Sequence, residues 1–248
     1  MTALELVAVD IETTGFTVSD TVTVVGFAVP MGVRVFVRVH EPGGEPHAGS
    51  AAPPGEESAT DTDAIVTASA LEDNVATALD DDQGVTVSTH TSERALLGAV
   101  QSFVADRLAG RDVLIVAYNG ETWKAGFDLP FLRTRHAQLD VPWPFRDVPY
   151  ADLLPVIRKR FNTTQDDGEG QADLVTAYDT LCAGPYTELD PFEDSAAAVT
   201  AFEDGEYGEL VLHNVADILR TRALGVLAQR YCSKSDFSLK SLTPTIHD

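Results

Sequence analysis

"LELVAVDIETTGF", residues 4–16, carries the chain's first regular element and two carboxylates at its end. Leu4 to Asp10 is an apolar, β-branched-rich run that ends at a Thr14-Gly15 turn, the pattern of a buried strand. Asp10 and Glu12 stand at the end of that strand. At the two-residue period of a strand they face the same side. Two like charges held together raise each other's protonation cost unless a cation lies between them, and hard divalent ions favour such oxygen ligands. The plainer alternative is a strand that ends in solvated carboxylates. With 39 Asp and Glu in 248 residues, an Asp-x-Glu pair says little by itself, so its position carries the weight.

"TVTVVGFAVP" (21–30) and "GVRVFVRVH" (32–40) are two further strands, and the short Pro30-Met31-Gly32 join predicts a hairpin. Residues 41–83 are rich in Pro, Gly, Ser and acid and are expected to be a flexible acidic surface insertion, with a marginal helix in "AIVTASALEDNVATAL". "VTVST" resumes order. Ser92 then caps a helix that carries Leu96, Leu97, Val100, Phe103, Val104 and Leu108 inward. "DVLIVAYN" (112–119) is a short buried strand and "LPFLRTRHAQL" (129–139) a helix. Beyond the proline-rich crossing "VPWPFRDVPYADLLPVIRKRF" the chain reads as helical, with breaks at 163–171 and 184–191. Strands first, then strands alternating with helices, indicate one α/β domain over residues 1–248: a mixed sheet flanked by α-helices, with an acidic surface insertion.

Two other segments bear on chemistry. "AYNGETWKAGFDLPFLRTR" (117–135) runs from a strand through an Asn-Gly turn to an amphipathic helix, placing Asp128 at the helix start, where it could equally serve as an N-cap. "LVLHNVADILRT" (210–221) puts His213 and Asp217 on one helical face at i and i+4, a spacing that also suits a polar surface pair.

Together "VAVDIETTGF", "AYNGETWKAGFDLPFL" and "HNVAD" resemble, in order and near spacing, the three motifs of the DEDD superfamily of 3′–5′ exonucleases. The second motif looks most like the exonuclease domain of family B DNA polymerases and its stand-alone relatives. The resemblance implies a ribonuclease H-like fold and four metal-binding carboxylates, Asp10, Glu12, Asp128 and Asp217. It further implies two divalent ions, Mg²⁺ or Mn²⁺, and His213 as the group that orients or deprotonates the attacking water. Thr13, Phe16, Asn119 and Phe131 are the matching substrate-binding candidates, with Phe16, after the Gly15 turn, expected to be exposed for base stacking. The expected partner is the 3′ end of single-stranded DNA or RNA. The rival class is a catalytically inactive nucleic-acid-binding or scaffold protein on the same fold.

This chain departs from the family pattern in two places. Nine steps separate Asn119 from Asp128, so "ETWKAG" lengthens the loop and would project Trp123 near the site's mouth. In addition, a histidine stands four residues before the last aspartate, the spacing at which the family's tyrosine branch has Tyr; its histidine branch uses five.

The charge bears on the partner. With 17 Lys and Arg, only four of them lysine, the net charge is −22, which resembles proteins of salt-loving archaea. Most of these carboxylates are a solubilising face, and a basic footprint for nucleic acid is lacking. In molar salt, phosphate–Lys/Arg contacts yield little affinity for any protein, so a nuclease there would depend on metal–phosphate bonds and stacking. The basic clusters "RTR" (133–135) and "RKR" (158–160) are candidates to guide a backbone or to balance the acidic surface. Two cysteines form no disulfide framework, no basic leader precedes the first strand, and no apolar run approaches the roughly 20 residues of a membrane span. These features predict a cytoplasmic protein that does not engage membranes.

Overall fold

The computed structural model describes residues 4–41, 66–79, 83–121, 127–164, 172–192 and 195–246. Its centre is strand β1 (Glu5–Thr13), whose odd positions Val7, Val9 and Ile11 pack into one hydrophobic cluster while Leu6 and Ala8 pack into another on the opposite face. Strands β2 (Val22–Val29) and β3 (Gly32–Arg38) follow as the expected hairpin, turning over Pro30 and Met31 with Val29 opposite Gly32. β4 (Gly84–His90) lies parallel to β3 at one sheet edge. β5 (Val113–Ala117) is buried at every position and lies parallel to β1. β6 (Pro149–Asp152) and β7 (Lys240–Ser241) complete a seven-stranded mixed sheet in the order β4-β3-β2-β1-β5-β6-β7. β2 and β7 are the antiparallel members.

Helices cover both faces. On one side lie α2 (Glu93–Arg107) and α3 (Asp128–Leu139). Ser92 caps α2 as expected, accepting from the Ala95 N–H, and Leu96, Leu97, Val100 and Val104 are buried, with Phe103 partly so. The other face is spanned by α7 (Tyr207–Tyr231), a 25-residue helix and thus about 37 Å long, which crosses β1, β2, β3 and β5. It is flanked by α1 (Ala68–Leu79), α4 (Leu153–Arg160), α5 (Leu174–Leu181) and α6 (Ser195–Asp204).

Within the expected insertion 41–83, the helix anticipated in residues 64–79 forms, but it docks on the core instead of lying in a flexible surface segment. Residues 42–65 and 80–82 lie outside the described residues, but 68–79 form α1, which buries Leu71 and Val75 in the same cluster as α7. Glu72 of this helix accepts from the Val87 N–H at 2.8 Å. Its apolar spacing explains the difference, since a helix with two core-facing aliphatics buries enough surface to dock. β6 and β7 were not anticipated: four residues beside prolines, or two, are too short to establish a period.

Candidate active site

Asp10 and Glu12 lie on the α7 side of β1, one pleat and two pleats beyond Ala8, as the period-two reading requires. Asp128 is the first residue of α3. It is not the cap: Phe127 holds that position without a side-chain bond, so the N-cap alternative does not apply. The Asp128 carboxyl is buried, and its Oδ2 has no hydrogen-bond partner among the described residues. His213 and Asp217 sit on α7 where it crosses the sheet. His213 is 6% exposed, so the polar-surface-pair alternative fails as well.

Electrostatics link the four carboxylates. Burial, then Asp128, Glu12 and Asp217, push Asp10 well above the ordinary carboxylate range. Asp128 is raised by burial and by Glu12, Asp152 and Asp217. Glu12 is pushed up to about 7 by burial, partly offset by the His213 charge. Asp217 is raised by burial, against relief from His213 and Arg220. Three segments distant in sequence thus bring four carboxyls within each other's field.

Among the described residues no group of three or more His, Cys, Asp or Glu side chains lies so that it could hold a metal ion. Neutral and cationic neighbours engage the carboxylates instead. Asn214, fully buried beside His213, donates through Nδ2 to Asp10 Oδ2 at 3.0 Å and to Glu12 Oε1 at 3.3 Å. Gly26 makes room for it: opposite Asp10 in the ladder, a Cβ there would stand 1.9 Å from Asn214 Oδ1. Arg220, 1% exposed, donates to Asp217 Oδ1 at 3.0 Å, to Asp190 Oδ2 at 3.0 Å and to the Tyr186 and Thr187 carbonyls. The donor chemistry suits a hard divalent cation: carboxyl oxygens on buried ground, one of them without a partner.

His213 Nδ1 bonds Asp190 Oδ1 at 2.7 Å, and Nε2 lies 3.9 Å from Glu12 Oε1. Burial lowers its pKa, but the Asp190 bond and the charges of Glu12, Asp217 and Asp190 outweigh this and raise it to about 9. In the absence of cations the imidazole is therefore charged at pH 7.

The substrate candidates divide. Phe16 is 64% exposed, as anticipated, and packs edge-on against Phe127 with centroids 5.1 Å apart. Phe127 in turn lies 4.8 Å from Phe131. Phe131 is buried, as its spacing on the core-facing side of α3 requires, so it backs this aromatic row. Phe16, Val18, Pro130 and Phe131 line a cleft of about 440 Å³. Two roomier clefts, about 1300 and 940 Å³, lie by the β2–β3 hairpin with α2 and by residues 241–246, and none of the four carboxylates lines any of the three. Thr13 spends its hydroxyl on the Gly15 carbonyl at 2.8 Å, which holds the turn that displays Phe16. Asn119 adopts a left-handed φ of 66°; its N–H donates to Asp152 Oδ1 at 3.0 Å, and its carbonyl accepts from Phe127. It shapes the loop before Asp128. Trp123 lies outside the described residues.

The basic clusters are only partly free. Arg135 is buried and pairs with Glu93 at 2.6 Å, so it cannot guide a backbone; Arg133 stacks over Trp143, and Arg160 pairs with Asp236 at 2.6 Å. Sequence reasoning missed Asn214, Asp190, Arg220 and Gly26. The oddity of His-Asn among apolar helix positions was visible for Asn214. Little local marked the others: apart from Arg220's i,i+3 pair with Asp217, the α7 partners of Asp190 and the partners of Arg220 lie 23 to 34 residues away, and that of Gly26 is set by strand register.

No protein-family model matches this chain, and no curated protein matches it. Among the described residues no helix is long and apolar enough to cross a membrane.

Proposed function

We propose that the chain is a metal-dependent 3′–5′ exonuclease of ribonuclease H-like fold, hydrolysing phosphodiester bonds of DNA or RNA from the 3′ end. The observation that carries this reading is the convergence of Asp10, Glu12, Asp128 and Asp217, from three separate segments, on one buried locus, where burial raises all four and the charges of Glu12, Asp128 and Asp217 add to the rise of Asp10. Such a cluster is costly for stability and costs least when a cation neutralises it. The inner strand order β3-β2-β1-β5-β6, with only β2 of these antiparallel, supports the fold assignment.

Asp10, Glu12, Asp128 and Asp217 would hold Mg²⁺ or Mn²⁺, and a pair of such ions supplies an activated water, a neutralised phosphate oxygen and a stabilised leaving oxygen. The chain's own groups prepare that locus. Asn214 fixes the Asp10 and Glu12 carboxyls on the α7 side, while Arg220 tethers Asp217. His213 points Nε2 toward Glu12; while charged it would orient the attacking water, and it could accept that water's proton only after Nε2 has given up its own. Phe16, braced by Phe127, presents a face on which a terminal base stacks. At a net charge of −22, with only 17 Lys and Arg, affinity would come from that stacking and from the cations the carboxylates hold.

A non-catalytic nucleic-acid-binding protein on the same fold is the second reading. It is favoured by the Arg220–Asp217 pair, which already neutralises one carboxylate. Incubating 3′- and 5′-labelled DNA and RNA with Mg²⁺ or Mn²⁺ in high salt separates the two. Cation-dependent degradation by the wild type and its loss in Asp10→Ala are expected. Equal degradation by both rejects the exonuclease, and retention of strands without cleavage favours the binding protein.

A further inference from the structure

Asp190 lies in the segment between α5 and α6, outside the three motifs, yet it is anchored to α7 at two points. Its Oδ1 accepts from His213 Nδ1 at 2.7 Å, and its Oδ2 accepts from Arg220 Nη1 at 3.0 Å. Arg220 is buried and binds the Tyr186 and Thr187 carbonyls of the same segment, so the carboxyl cannot swing without breaking several bonds. The Phe192 ring packs 5.4 Å from the imidazole and limits its rotation. The remaining ring nitrogen, Nε2, is left facing Glu12.

From this geometry we propose that Asp190 is a positioning residue: it keeps the His213 Nδ1 proton in place and thereby aims Nε2 at the carboxylate locus. The consequence for turnover rests on the exonuclease reading; the geometric claim does not. Both Asp190 oxygens are needed as acceptors. An asparagine offers only one, and a buried guanidinium, which does not deprotonate, claims it. The amide NH₂ of Asp190→Asn would then face Nδ1, donor against donor. His213 escapes by giving up its Nδ1 proton or by turning away, and either change spoils the aim of Nε2.

Two measurements test this. In wild-type protein, ¹⁵N-resolved NMR of the histidine rings should show a strongly downfield, exchange-protected Nδ1 proton for His213, assigned by its loss in His213→Ala. That proton should vanish in Asp190→Asn. Its absence from the wild type, or its persistence in the variant, overturns the proposal whether or not the variant is stable. In the nuclease assay, Asp190→Asn should lower kcat by about 10²–10⁴-fold with KM changed less than about threefold. In a His213→Ala background it should add less than about threefold, since no imidazole remains to aim. A full additional loss in that background would mean that Asp190 merely holds the segment in place, and would also overturn the proposal. A wild type with the expected resonance but no cleavage of any strand would reject the exonuclease reading and leave the positioning intact.

Discussion

Replacing Gly26 by alanine probes how closely the sheet and α7 are fitted at the carboxylate locus. The new methyl would stand 1.9 Å from Asn214 Oδ1, 3.0 Å from its Cγ and 3.2 Å from Ile218 Cδ1, well inside contact distance. Asn214 is fully buried on a helix packed across four strands, so its side chain can retreat only by leaving Asp10 and Glu12. Losing two hydrogen bonds at about 0.5–1.5 kcal/mol each, and overpacking the site at about 1–3 kcal/mol, gives a destabilisation of roughly 2–6 kcal/mol. At about 2–4 °C per kcal/mol for a domain of this size, Tm should fall by at least roughly 4 °C. Urea denaturation with a chelator present measures the free energy directly. The double variant Gly26→Ala with Asn214→Ala removes the obstructed amide, so its loss should fall short of the sum of the two single losses by more than about 1 kcal/mol. A Gly26→Ala protein within about 0.5 kcal/mol of wild type, or strict additivity, would refute the close fit.

The pH dependence of stability should be inverted relative to most proteins. Asp10, Glu12, Asp128 and Asp217 hold protons more tightly folded than unfolded, and so does His213. The native state therefore binds the more protons, and the unfolding free energy declines as pH rises. For Glu12 stability is undiminished below 4.5 and lost through about 7; for His213 the contribution is complete below 6.5 and lost through about 9. Asp190, depressed, acts in the opposite sense only at the acid end. Chemical denaturation in chelator at fixed salt should show a steady decline between about pH 5 and 9, much reduced by saturating Mg²⁺; a flat or rising profile would count against the cluster. Phe16→Ala removes a ring that is 64% exposed, so stability should change by less than about 1 kcal/mol, whereas KM for short single strands should rise about five- to a hundredfold, read from initial rates.

Much of the framework was legible in the sequence because it repeats locally. β1, the β2–β3 hairpin, the Ser92-capped α2 and the all-apolar β5 each carry their own period, and Asp10 and Glu12 inherit their shared face from that period. The docking of α1, by contrast, depends on β4 and α7 as partners, which its own composition does not reveal. The contacts around His213 were illegible for the same reason. Asp190 reaches it across 23 residues, and Asn214 fits because strand register happens to set a glycine opposite Asp10. Arg220 has the look of any helix-surface arginine, yet it is among the most deeply buried side chains in the protein. Residues that act directly followed strand and helix periods, while those that hold them in place followed tertiary contacts.

The proposed activity is stepwise hydrolysis from a free 3′ end at the four-carboxylate locus. Its most direct test follows a 5′-labelled single strand with Mg²⁺ in high salt, beside the same strand blocked at its 3′ end and a circular strand. The account predicts a ladder shortening one nucleotide at a time from the free 3′ end, with the blocked and circular strands intact. Cutting of the circular strand, or shortening of the blocked one, would contradict it.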